Sequence, residues 1–301
     1  MVDVRTVGIL SPGDMGAAIG GVLHQSGLDV ITCLGGRSEL TRVRAEEAGI
    51  RSVDDYDELV READVVLSVL VPAESRSIAD QVAASMRRTD ARPVFVECNA
   101  IAPQTVRAID GVIRDAGGSL IDAGIIGSPP RHPNDDTRFY CSGPDTEAFE
   151  ALGEYGLDVK VVGPEIGQAS GLKMVYAAST KGTTALWTEL FVGARALGLE
   201  HALLDEFGPN HVVSRRQLAS IPSMPRKSRR WVGEMEEIAA TFEHVGLTPR
   251  ILQGAADMYR FIGDTPLAEQ TSREPDPPVE HILDTLTEQL KRRNDDASDR
   301  S

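Results

Sequence analysis

An apolar run over residues 6–10 leads into Ser11-Pro12-Gly13-Asp14-Met15-Gly16, and residues 17–25 then have helical composition. Strand, glycine turn and helix in that order can cradle a pyrophosphate, because the turn lets backbone approach the phosphates at the positive end of the helix. Gly13 fits the place of close approach, and Gly16 fits the place where a small residue lets helix meet strand. Ser11 stands where the first glycine of such a turn usually stands. A different kind of chemistry is available to lysine. The chain has lysine only at 160, 173, 181, 227 and 291. Its other cations are arginines, so a lysine at a glycine-rich helix start invites inspection. Lys173 is so placed, in Gly167-Gln168-Ala169-Ser170-Gly171-Leu172-Lys173.

About twenty residues after the first turn, Leu34-Gly35-Gly36-Arg37-Ser38 ends a second apolar run, where a ribose is read. An acid there would select NAD. Arg37 and Ser38 instead suit a 2′-phosphate, because a guanidinium matches phosphate oxygens two at a time. Arg42 and Arg44 lie on a charge-rich helix and read individually as solvated. NADP is therefore the expected cofactor, with NAD the alternative.

The surrounding architecture is read from the hydrophobic pattern. Apolar runs at 6–10, 29–34, 65–70, 94–98 and 120–121 alternate with amphipathic stretches, and 138–142 and 159–162 extend the series. Near-continuous apolar runs separated by helices predict an α/β fold, a doubly wound parallel sheet covered on both faces. After Gly163-Pro164 the strand pattern stops. Residues 169–198 read as one long helix, and further helices fit 202–207, 212–220, 229–245 and 247–264. The expected division is 1–163 for the nucleotide-binding domain, 164–290 for an all-helical domain and 291–301 for a flexible charged tail.

Composition narrows the function. There are 31 Lys+Arg against 46 Asp+Glu, a net charge of −15 that disfavours a general nucleic-acid or anionic-membrane surface. Cys33, Cys98 and Cys141 are far apart and odd in number, so no disulfide framework is expected. The six histidines show no metal-ligand spacing, and no metal site is expected. No Walker-type loop or nucleophile elbow is present. With no signal segment and no spanning apolar run, a soluble cytoplasmic protein is expected.

Taken in order, the motifs resemble the β-hydroxyacid dehydrogenase superfamily, which includes 6-phosphogluconate, 3-hydroxyisobutyrate and tartronate-semialdehyde enzymes, with imine reductases as relatives. The pieces are Gly13-Asp14-Met15-Gly16, Val69-Leu70-Val71-Pro72, Cys98-Asn99-Ala100-Ile101-Ala102-Pro103, Asp122-Ala123-Gly124-Ile125-Ile126-Gly127-Ser128, the Lys173 segment and Gly246-Leu247-Thr248-Pro249. The resemblance implies a Rossmann-type domain, a helical domain that forms homodimers, and reaction in the cleft between domains. It makes Lys173 the general acid/base: negative charge grows on a carbonyl oxygen as hydride arrives, and an ammonium can stabilise and protonate it. It assigns Val71, Pro72 and Asn99 to the cofactor, beside residues 11–16. Asn99, Gly127 and Ser128 fall in loops that contact substrate, and Arg131 is a charge partner for an anionic one.

The chain also departs from the family pattern. Ala177 stands where the family has a substrate-binding Asn, Ala100 and Ala102 replace hydroxyl residues, and Gly233 replaces a second lysine. At helical spacing from Lys173, Tyr176, Thr180 and Lys181 face one side and are candidates to supply the lost contact. Trp231 joins them as an aromatic for the apolar body of a substrate. The reading is an NADP-preferring oxidoreductase acting on a small hydroxy acid, oxo acid or semialdehyde. The alternatives are an imine or ketone reductase of the same fold and a catalytically silent NADP-binding sensor.

Overall fold

The computed structural model describes residues 2–271 and 274–298. The chain forms two compact units, the first ending at Met174 and the second beginning at Val175. In the first unit strands and helices alternate: β1 (Thr6–Ile9), α1 (Asp14–Gln25), β2 (Asp29–Cys33), α2 (Glu39–Glu47), β3 (Arg51–Val53), α3 (Tyr56–Glu62) and β4 (Val65–Ser68). After these come α4 (Ser75–Thr89), β5 (Val94–Glu97), α5 (Pro103–Asp115), β6 (Ser119–Ile126), β7 (Arg138–Ser142), α6 (Glu147–Glu150), β8 (Asp158–Gly163) and α7 (Gln168–Ala177). Strand β3 has three residues, too few to leave a sequence pattern, and was not expected.

The strands form one sheet in the order β3-β2-β1-β4-β5-β6-β7-β8. Pairing is parallel except between β6 and β7. Alternate side chains feed two cores. Val7, Ile9, Leu67, Val96, Ile121 and Ala123 pack with Ile19, Val22 and Leu23 of α1. Val66, Phe95 and Leu120 pack with Leu59, Val82, Met86, Ile109 and Ile113 of α3, α4 and α5. A strand with both faces covered has no polar side to show, which is why the runs look continuous. The order reverses between β1 and β4, and ligands of such sheets bind beyond the carboxyl ends of the strands at that switch point.

The first unit extends past the expected boundary at 163 to Met174, because the first turn of α7 is hydrogen-bonded to Asp122 of β6. Helix α7 continues through a π-helical turn, Ala178–Gly182, into α8 (Thr183–Ala196). The second unit then adds α9 (Glu200–Phe207), α10 (Val212–Ser220), α11 (Ser228–His244), α12 (Arg250–Gly263) and α13 (Val279–Ser298). Its core is built from Phe191, Met235, Ile238, Leu252, Tyr259 and Ile262. Residues 291–298, expected as a flexible charged tail, are the last part of helix α13. Ile282, Leu283 and Leu286 bury one stripe of α13, and the charged residues after them continue that helix. Residues 299–301 lie outside the described residues.

Candidate functional site

The turn after β1 has the properties a pyrophosphate requires. Gly13 is the N-cap of α1, and no side chain caps that helix, so its first backbone N–H groups keep their hydrogen-bonding capacity. A Cβ at Gly13 would meet nothing within 4 Å, while one at Gly16 would stand 2.2 Å from the Ser11 carbonyl oxygen. Gly16 is thus required by the fold, and the open space at Gly13 is available to a ligand. Pro12 is buried, Ser11 and Met15 are half-buried, and the exposed Asp14 side chain pairs with Arg44 at 3.7 Å. This cradle fits a dinucleotide.

At the end of β2, the half-buried Arg37 donates from Nη2 to the Leu10 carbonyl at 3.2 Å and to the Tyr56 hydroxyl at 3.4 Å. It is thereby held at the carboxyl end of β1. Ser38 is the N-cap of α2 and accepts from the Thr41 N–H at 3.3 Å. Arg42 folds back to donate to the Leu34 carbonyl at 2.8 Å. Arg42 and Arg44 are therefore engaged with the protein rather than simply solvated.

Asn99 is held within the sheet end. It is 3% exposed, its Nδ2 donates to Ser68 Oγ at 3.0 Å, and its Oδ1 accepts from the Leu70 N–H. Its own N–H donates to Glu97 Oε1 at 2.8 Å. The amide ties the end of β4 to the end of β5 and so steadies the Val71-Pro72 loop. Val71 is 46% exposed and caps the single turn begun by Pro72.

Lys173 is held by β6. Its Nζ donates to the Ile125 carbonyl. Two residues up the strand from Asp122, Gly124 leaves room for α7: a Cβ there would stand 2.9 Å from the Ala169 carbonyl oxygen and 3.0 Å from Lys173 Cβ. Asp122 Oδ2 accepts from the N–H groups of Gly167 and Ser170 at 2.9 and 3.0 Å and from Ser142 Oγ at 3.0 Å. Its Oδ1 accepts from Ser170 Oγ. Asp122 and Gly124 enter the sequence reading only within the segment Asp122–Ser128 that carries the family resemblance; an acid with a glycine at strand spacing, and a Ser-containing helix start downstream, was the available signal.

Gly127 and Ser128 are exposed at the end of β6. Gly127 has φ of +141°, and the Thr137 hydroxyl donates to the Ser128 carbonyl, which fixes the turn. Arg131 lies at the surface. It lines a surface depression with Asp14, Ala18, Gly21, Arg44 and Glu47, on the outer side of α1 and α2, and its N–H donates to Asp135 Oδ2 at 2.9 Å. Two prolines precede it, and Pro130 lines the same depression.

The remaining candidates belong to the second unit. Tyr176 is 43% exposed, and Thr180 is exposed with its hydroxyl donating to the Ala177 carbonyl at 3.2 Å. Lys181 does not continue the face predicted from uninterrupted α-helical spacing. The π turn inserts an extra residue, rotating the rest of the helix by about 100°. Lys181 instead pairs with the buried carboxylate of Glu234, which also takes Arg230 at 3.3 Å. Trp231 lies among these groups, with Lys181 and Lys227 at 5.5 and 5.7 Å from its ring and Tyr259 edge-on at 5.2 Å. The indole Nε1 is buried without a hydrogen-bond partner. A Cβ at Gly233 would meet nothing within 4 Å.

Residues 6–155 match the family described as the NAD binding domain of 6-phosphogluconate dehydrogenase, and residues 194–262 match a domain of unknown function, DUF1932. An uncharacterized 28.5 kDa protein of Methanothermus fervidus is 30% identical over 178 residues, 59% of this chain and 66% of that protein's length. The solved structure of conserved protein MTH1747, of unknown function and described as similar to 3-hydroxyacid dehydrogenases, is 30% identical with a TM-score of 0.65. The match covers 85% of this chain and 97% of that one. This chain is a divergent member of the 3-hydroxyacid and 6-phosphogluconate dehydrogenase superfamily. The superfamily fold extends to 3-hydroxyisobutyrate dehydrogenase of Mycobacterium tuberculosis, at 20% identity, a TM-score of 0.67 and coverage of 94% and 99%. It extends also to an imine reductase of Myxococcus stipitatus in complex with NADP+, at 20% identity, a TM-score of 0.53 and coverage of 93% and 99%. Among the described residues no helix is long and apolar enough to cross a membrane, and no three His, Cys, Asp or Glu side chains gather as a metal site would need.

Proposed function

We propose that the protein is a nicotinamide-dependent oxidoreductase, NADP-preferring, that interconverts a small hydroxy acid with its oxo acid or semialdehyde. The observation that carries this reading is the placement of Lys173, whose ammonium is held at β6 by a helix start anchored in the same sheet that offers the open glycine turn. Gly13, Gly16 and the uncapped start of α1 would hold the pyrophosphate, and the Val71-Pro72 loop would border the nicotinamide half. Arg37 and Ser38 support the 2′-phosphate preference, because the end of β2 carries a guanidinium and a hydroxyl where an acid would repel the phosphate. When bound, the nicotinamide exchanges a hydride with the substrate carbon. Lys173 gives a proton to the substrate oxygen in reduction and takes it back in oxidation.

Lys181, which lies 5.5 Å from the Trp231 ring, is proposed to supply the cation that position 233 lacks. Tyr176, Thr180, Gly127 and Ser128 are proposed as further substrate contacts. A homodimer in the cytoplasm is part of the same reading, supported by the apolar face along α8 and α9 and by three buried free thiols. An imine or ketone reductase is the second reading. It is favoured by Ala100, Ala102 and Ala177, which place methyl groups where hydroxyl and amide contacts to a hydroxy acid would be expected.

Fluorescence titration with NADPH and NADH, then NADPH oxidation against 2- and 3-oxo acids, semialdehydes and cyclic imines, tests the proposal. The expected result is tighter NADPH binding and turnover of an oxo acid or semialdehyde that falls about 10²–10⁴-fold in Lys173→Ala. Turnover of imines alone would select the second reading. Binding with no turnover, unaffected by Lys173→Ala, would make the protein a sensor.

A further inference from the structure

Glu97 and Asp122 face each other in register on the adjacent parallel strands β5 and β6. Both are wholly buried. By strand alternation they share a face with Gly124, the residue against which α7 packs. Asp122 receives two backbone N–H groups and two hydroxyls, a donor set that suits a carboxylate. Glu97 accepts the Asn99 N–H on Oε1, while Oε2 has no partner. Two carboxylates side by side in a dry place do not both ionise. The charge belongs to Asp122, which has the donors, and the proton to Glu97.

We propose that Asp122 is a positioning residue for Lys173, clamping the first turn of α7 to β6, with Glu97 as the neutral neighbour that leaves Asp122 its charge. Three features of one strand set three properties of the lysine. Asp122 fixes where the helix starts, Gly124 how closely it approaches, and the Ile125 carbonyl where the ammonium rests. Ser170, bound twice to Asp122, lies one helical turn before Lys173, so displacement of that turn carries the lysine with it. Among the described residues, titratable and charged groups near the pair include the thiols of Cys98 and Cys141, which burial pushes up, Glu150, which acts on Cys141, and Arg107 of α5, whose Nε donates to the Ile166 carbonyl at 3.1 Å.

The inference rests on the acid–base role proposed for Lys173, but its test does not need the substrate. Competitive labelling of the full chain with acetic anhydride across pH, with Lys173 and Lys181 peptides read by mass spectrometry, reports the titration of each amine. Asp122→Asn keeps the shape, since its carbonyl can take the N–H donors and its amide can donate to Ser170. It removes the negative charge that favours the ammonium. The expected result is a fall of about one pH unit in the Lys173 midpoint, with Lys181 unmoved. Ser170→Ala, which keeps the charge and loosens the clamp, is expected to raise the Lys173 labelling rate about threefold at fixed pH; it also serves if Asp122→Asn does not fold. An unchanged rate in folded Ser170→Ala overturns the positioning role, and an unchanged midpoint in folded Asp122→Asn overturns the assignment of the charge to Asp122 with Glu97 neutral. Normal turnover by Lys173→Ala overturns the acid–base reading instead and leaves the labelling shift standing.

Discussion

Glu97 is a residue whose chemistry is strongly altered by its surroundings. Burial pushes its carboxyl up to about 8, against hydrogen bonds that favour the charged form. In the unfolded chain a glutamate titrates near ~4.3. Between those values the folded protein holds a proton that the unfolded chain has lost, so rising pH favours unfolding across that window. The stabilising contribution is full below the unfolded value and is lost as pH rises through the folded one. Glu97→Gln, an uncharged near-isostere, is expected to remove this slope. In thermal melts from about pH 5 to pH 9, the variant should gain on the parent protein up to about pH 8 and hold a constant lead above it. Parallel curves over the whole range would mean that Glu97 ionises normally. Asp122 is also raised by burial, but hydrogen bonds from Ser170, Ser142 and Gly167 oppose the shift, which is why the two acids part company.

Among the elements, α7 is fixed at its start by side-chain acceptors and along its length by close packing. Gly124→Ala adds one methyl at 2.9 Å from a helix carbonyl that cannot move independently of α7. It is expected to cost about 1–3 kcal/mol of stability and to lower kcat while leaving NADPH affinity within about twofold, because the glycine turn after β1 is untouched. A combined calorimetric and titration experiment checks both. The π turn at Ala178–Gly182 acts differently. It changes the phase of the helix, so that Tyr259 donates to the Lys181 carbonyl at 2.6 Å while the Lys181 side chain reaches Glu234. Such a turn leaves no mark in a 3.6-residue apolar period, since the residues on either side remain good helix formers.

For the molecule as a whole, the second unit presents an apolar groove along α8 and α9, lined by Leu186, Leu190, Leu197, Leu199 and Leu203. Leu186 and Leu197 are 62% and 74% exposed. Single exposed leucines are ordinary, but a contiguous row of them marks an association surface. A self-association across this row is the proposed dimer. Leu186→Glu with Leu197→Glu is expected to convert a dimer of about twice 32.4 kDa into the monomer, measured by light scattering, with little change in the fold of the first unit. A parent protein that already runs as a monomer would remove this proposal. The net charge of −15 does not oppose such an interface, because the row itself carries a single acid, Glu189, among its lining residues.

The doubly wound sheet, the glycine turn after β1 and the helical character of the second half are all legible in the sequence. Those features are written in local patterns: apolar runs of strand length, a turn that only small residues permit, and 3.6-residue periodicity. The place of Lys173 near the start of α7 was legible because lysine is rare here and this one follows a glycine-rich segment. Packing in three dimensions was needed to establish that Asn99 ties two strand ends together, that Arg131 faces the outer side of α1, and that Lys181 belongs with Glu234 and Trp231. It also revealed that the segment after Ile121 is the template on which Lys173 is set. In each case the deciding partner is remote in the chain, as Asp122 is from Gly167 and Ser170. A hydrogen bond to such a partner has no period and no local composition. It exists only once two distant segments have been packed side by side, and the cost of leaving a buried polar group unpaired then fixes which side chain turns inward.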